Sequence, residues 1–130
     1  MLMITSVFAG LLIILQVGLS VQVGFNRTMR KIQFGDGDDM AMHRSIRAHG
    51  NFIEYVPFIV VAMALSELGG APGWLLWTSG GVLVAARLIH ASFMFGWLSD
   101  FGRIAGAGLT ALVMLALGLS LLAGASGIMA

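Results

Sequence analysis

Four long apolar runs, short connections between them and a scarcity of charge predict an all-α membrane protein, a single four-transmembrane-helix bundle. Of the 130 residues 58% are hydrophobic and 10% charged, with a mean hydropathy of +0.95, against about 25% charged residues in an ordinary soluble domain. A spanning helix needs about 20 mainly apolar residues. Four such runs occupy most of the chain, so one domain over residues 1–130 is the expected organisation.

The first run covers residues 2–25. It lacks the basic start, short apolar core and small-residue cleavage site of a signal peptide, so it reads as a retained helix. The second run covers 48–68, the third 71–97 and the fourth 104–130. Between the first two lies "FGDGDD", residues 34–39, whose glycines and aspartates are turn formers; the closing glutamate of a calcium loop is absent. Pro57 is expected to kink the second helix. Small residues punctuate the fourth, at Gly106, Ala107, Gly108, Gly118 and Gly124, a pattern that permits close helix approach.

Charge sets an orientation. Arg27, Arg30, Lys31, Arg44 and Arg47 flank the first loop and Arg103 borders the third, whereas the second loop and both termini carry no Lys or Arg. The positive-inside rule then places loops one and three in the cytoplasm and both termini in the periplasm. Trp74 and Trp77 fall at the far interface and Trp97 at the cytoplasmic one.

Composition also excludes functions. With no cysteine the chain has no disulfide, no thiolate metal site and no nucleophilic thiol of its own. Seven dispersed basic residues are too few for a nucleic-acid surface. His43 and His49 have no partners at metal-ligand spacing, so no metal is expected.

The most informative stretch is "RSIRAHGNFIEYVP", residues 44–57. At about 100° per residue, Arg44, Arg47, Asn51 and Glu54 share roughly an 80° arc of one helix face, with His49 pointing away. A span ending near Ser66 begins near Arg47, so Asn51 and Glu54 lie within the bilayer. On the third span Arg87 and His90 are one turn apart. A charge at mid-span costs about 2.5 to 3.5 kcal/mol, and Glu54 and Arg87 have similar depths, which predicts a Glu54–Arg87 ion pair. That pair reads as a structural clasp or as part of a site. The ladder of Asn51, Arg47 and Arg44 is suited to carboxylates of a small anionic ligand. His90 is a candidate acid or base, though a lone histidine beside an arginine in a packed span is more often a hydrogen-bonded core residue.

Laid out this way, the sequence resembles the MAPEG superfamily, the membrane-associated proteins in eicosanoid and glutathione metabolism. "RAHGNFIEYVP" looks like the helix-two signature R-A-x-x-N-x-x-E-x-x-P, and "AARLIHASFMFG", residues 85–96, looks like the helix-three motif. The order of "FGDGDD" and "RSIRAHGN" is closest to a small bacterial inner-membrane branch. The resemblance implies a left-handed bundle assembled as a homotrimer, with glutathione bound between subunits toward the cytoplasm. It implies that Arg47, Asn51, Glu54 and Tyr55 contact glutathione, that His49 reaches the neighbouring subunit's site, and that Arg27 or Arg30 approaches similarly. His90 would join them from helix three, and Arg103 would stabilise the thiolate. Two positions depart from the pattern: Met94 stands where eicosanoid members carry tyrosine, and Gly50 where several members carry arginine.

Three functional classes follow. The first is a glutathione-dependent transferase or peroxidase acting on a lipophilic electrophile drawn from the bilayer. The second is a non-catalytic bundle with a lipid-binding or interaction role. The third is a small exporter, whose membrane glutamate would be expected in the first span, where this chain has only Gln16 and Gln22.

Overall fold

The computed structural model describes residues 1–94 and 100–126. They form α1 (Met3–Arg30), α2 (Met40–Leu68), α3 (Gly73–Met94) and α4 (Asp100–Ala125). Each helix is long and apolar enough to cross a membrane. Trp97 and the last four residues of the expected fourth span lie outside the described residues.

Two helices outrun their expected spans. α1 has 28 residues and α2 has 29, about 42 Å each at 1.5 Å per residue, against a hydrocarbon core of about 30 Å. Hydropathy marks the part of a helix that sits in lipid; hydrogen bonding decides where the helix ends. α2 therefore starts at Met40 rather than near Ala48, because the Asp39 carboxylate accepts from the backbone N–H of Ala41 and Met42, each at 2.9 Å, as an N-cap does. These bonds, that from Met42 foremost, hold the Asp39 carboxyl below its usual range, and Arg30 adds to the effect.

The loop between these helices is the tight turn that its composition predicts. Gly35, Gly37 and Asp38 adopt left-handed backbone, which glycine and aspartate tolerate better than most residues. The Arg27 guanidinium gathers the loop by donating to the carbonyls of Ile32, Gln33 and Gly35. Asp36 meets the His43 ring at 2.7 Å, and that bond keeps the Asp36 carboxyl below its usual range.

α2 and α3 touch each other and both outer helices, while α1 and α4 make no contact among the described residues. The fully buried side chains Leu12, Met42, Ile59, Met63, Leu76, Leu83 and Leu117 fill the centre. Two glycines set helix spacing. A side chain at Gly80 of α3 would overlap the Phe8 ring of α1, and Phe8 packs edge-on against Trp77, with centroids 5.4 Å apart. A Cβ at Gly106 of α4 would lie 2.8 Å from both the Ala86 carbonyl oxygen and the His90 Cβ, so α3 and α4 meet backbone to backbone there. The close approach expected of the fourth helix occurs at Gly106, whereas at Gly108, Gly118 and Gly124 an added Cβ meets open space.

The N-terminus of α1 is closed from another helix. Leu2, its first flanking residue, offers no side-chain cap. The Glu67 carboxylate, on the last turn of α2, accepts from the backbone N–H of Ile4 at 2.9 Å and Thr5 at 2.7 Å. Two otherwise unsatisfied helix donors are matched by a charge that suits the positive end of the helix dipole.

Candidate functional site

Asn51 and Tyr55 on α2, Arg87 on α3, and Arg103, Ile104, Ala107, Gly108, Thr110 and Ala111 on α4 line a groove of about 520 Å³. Its polar residues come from three helices and its floor is the small, apolar face of α4. Sequence reasoning singled out Asn51, Tyr55, Arg87 and Arg103, and the fold brings all four to this one groove.

Arg87 organises the wall. It is 2% exposed and donates to Asn51 Oδ1 at 2.7 Å, to the Gly106 carbonyl at 3.3 Å and to the Thr110 hydroxyl. Thr110 in turn donates to the Gly106 carbonyl at 2.8 Å. The clasp ties α2, α3 and α4 together through neutral oxygens. Among the described residues Arg87 Nε has no partner and no carboxylate pairs with the guanidinium.

The expected Glu54–Arg87 ion pair is therefore corrected. Glu54 instead faces Arg47 on its own helix, Oε1 to Nη1 at 3.6 Å, with both side chains about half exposed. Residues three apart on a helix point about 60° apart, so Asn51 meets Arg87 while Glu54 is turned outward. The pair closes over Gly50, where a Cβ would sit 3.8 Å from each charged partner.

The remaining candidates are dispersed. His49 does point away from Asn51, but it is engaged within its own chain: Nε2 lies 2.8 Å from the Gln16 amide nitrogen and 3.1 Å from the Ser20 hydroxyl, both on α1. A polar ring within the span takes polar partners where it finds them, and α1 supplies these two. Arg27 holds the first loop and Arg30 pairs with Asp39, so neither lines the groove. His90 is buried, as expected of a core residue, and it lies against Gly106. Met94 ends α3.

Thr110 was missed, and Gly106 was anticipated only as a point of close helix approach, not as an acceptor for Arg87. The signal available was their spacing: a glycine and a small hydroxyl residue four apart on one face is a pattern of close helix contact, and a hydroxyl there is positioned to meet a polar side chain from the facing helix.

Comparison with known proteins identifies the family. The family model described as "MAPEG family" matches residues 5–123. Two curated relatives, the inner membrane protein YecN of Escherichia coli strain K12 and that of Escherichia coli O6:H1 strain CFT073, are each 35% identical over 88 residues, covering 68% of this chain and 67% of the relative. With the match running through all four helices, this membrane protein belongs to the MAPEG family.

Proposed function

We propose that this protein is a glutathione-dependent membrane enzyme of the transferase or peroxidase type, acting on a lipophilic electrophile. The observation that carries the reading is the groove itself, in which Asn51, Tyr55, Arg87 and Arg103 face an apolar α4 wall. Asn51 gives its carbonyl oxygen to Arg87, which leaves its amide N–H donors for a ligand carboxylate. The Tyr55 hydroxyl is a second neutral donor. Arg103 beside the bound thiol favours the thiolate by placing a positive charge near it. In transfer, the thiol proton goes to solvent, the sulfur forms a bond to the electrophilic carbon, and the electron pair of the broken bond leaves with the departing group or ring oxygen.

The same reading assigns the protein to a bacterial inner membrane, as the curated relatives are named. Loops one and three face the cytoplasm, and a homotrimer completes the groove from a neighbouring subunit. Calorimetric titration of the detergent-solubilised protein with glutathione tests it. Saturable heat at millimolar concentration, with Arg103→Ala raising the pKa of the bound thiol seen by thiolate absorbance, is the expected outcome; no saturable heat overturns the proposal.

One observation favours a second reading, a non-catalytic bundle with a lipid-binding or interaction role. Arg87 ties α2, α3 and α4 together through three hydrogen bonds within the chain, which is what a structural clasp requires. Under that reading Asn51→Ala lowers stability while glutathione binds neither variant nor parent.

A further inference from the structure

We propose that the opposite end of the bundle carries a second site, a groove that binds a membrane lipid through a primary ammonium headgroup. The groove, of about 340 Å³, lies between the end of α2 with the following turn and the end of α4. Ser66, Gly70, Ser120 and Gly124 line it, with Leu65 and Leu121 beside them.

Three features set its chemistry. The Ser66 side chain, in a residue only 3% exposed, lines the groove with no hydrogen-bond partner for its hydroxyl oxygen. A buried hydroxyl without a partner is unfavourable, and a ligand that donates to it removes that deficit. Secondly, α2 and α4 both end here, and neither has a basic residue in its last turn. The negative ends of two helix dipoles converge without the cation that such ends favour; by contrast, α1 carries Arg27 and Arg30 in its last turn. Thirdly, residues 48–86 and 104–130 contain no Lys or Arg, and Glu67, an acidic side chain near this end, is committed to the N-terminus of α1. An anionic headgroup would find no cationic side chain and two unfavourable dipoles. A primary ammonium presents three donors, foremost to the Ser66 and Ser120 hydroxyls, since the α2 carbonyls of Leu65, Ser66 and Glu67 already accept from N–H groups of the turn. Leu65 and Leu121 give the start of an acyl chain an apolar path into the bilayer, which selects a lipid over a free amine.

Native mass spectrometry of the detergent-solubilised protein tests this with phosphatidylethanolamine, its trimethylated counterpart phosphatidylcholine, phosphatidylglycerol and free ethanolamine. Phosphatidylethanolamine should bind at least about tenfold more tightly than the other three, a margin of about 1.4 kcal/mol. Gly124→Leu, at a position where an added side chain meets open space, should fill the groove and erase that preference without unfolding the protein. Ser66→Ala should weaken the same preference while leaving thermal stability unchanged or raised. Equal binding of phosphatidylcholine or phosphatidylglycerol, an undiminished preference in folded Gly124→Leu, or ethanolamine matching the lipid would each overturn the proposal.

Discussion

An arginine that is 2% exposed within a spanning helix must find acceptors, since a charge at that depth costs about 2.5 to 3.5 kcal/mol on the insertion scale. Arg87 finds an amide, a backbone carbonyl and a hydroxyl instead of a carboxylate. Its positive charge is hydrogen-bonded but not neutralised, which keeps the groove wall cationic. Thr110 is the most economical place to test the clasp, because its hydroxyl accepts from Arg87 and donates to Gly106 in the same motif. Thr110→Val, close in shape but without the hydroxyl, is expected to destabilise the protein by about 1 to 3 kcal/mol, while Thr110→Ser stays near the parent. Denaturation by SDS in mixed micelles reads the difference; equal midpoints for the two variants would show that the hydroxyl contributes nothing. The need for a partner to Arg87 was legible in the sequence, but its identity was not. Depth along a helix can be counted from residue numbers, whereas Asn51 and Glu54 differ by about 60° of azimuth, and only the docking of α3 against α4 at Gly106 fixes which of them Arg87 meets.

At the level of the helices, packing depends on where a side chain is missing. The Phe8 ring of α1 occupies the space that a side chain on Gly80 of α3 would take, and the ring then reaches Trp77 one turn earlier. Gly80→Ala should therefore push α1 from α3 and cost about 1 to 3 kcal/mol as an overpacked contact. Phe8→Leu in the same chain should recover part of that loss, because a smaller, more adaptable side chain leaves room for the new methyl. A double-mutant cycle by chemical denaturation checks this coupling, and strictly additive effects would refute it. The four spans were legible because long apolar runs admit little else. Their ends were not, for two physical reasons. The Asp39 cap extends α2 beyond the lipid-matched segment, and the Glu67 cap on α1 joins residues more than 60 positions apart, a contact no local pattern announces.

For the whole molecule, the two ends of the bundle differ in charge and in construction. One end has the extended tips of α1 and α2, the turn gathered by Arg27 and, on those tips and that turn, five of the seven basic residues, Arg27, Arg30, Lys31, Arg44 and Arg47, with Arg103 at the start of α4 beside them. The other has a short turn, two helix ends with no basic residue in the last turn and no Lys or Arg. Such an asymmetry orients a multi-spanning chain with its basic end in the cytoplasm, because translocating short basic segments is disfavoured. Alkaline phosphatase fused after Ala130 should accordingly be active in cells, and green fluorescent protein fused at the same point should be dark. Not all five cations are equivalent for a second test: Arg27, Arg30 and Arg47 are held by loop carbonyls or by carboxylates, so removing them would perturb the fold as well as the charge. Lys31 and Arg44 take part in no ion pair with a described residue. Replacing both by glutamine should reduce phosphatase activity at the C-terminus by shifting part of the population to the inverted orientation, with little change in the stability of correctly inserted protein. A fluorescent C-terminal fusion in the parent chain would reverse the assignment, and would move the candidate glutathione groove, which opens beside Arg103, to the opposite side of the membrane.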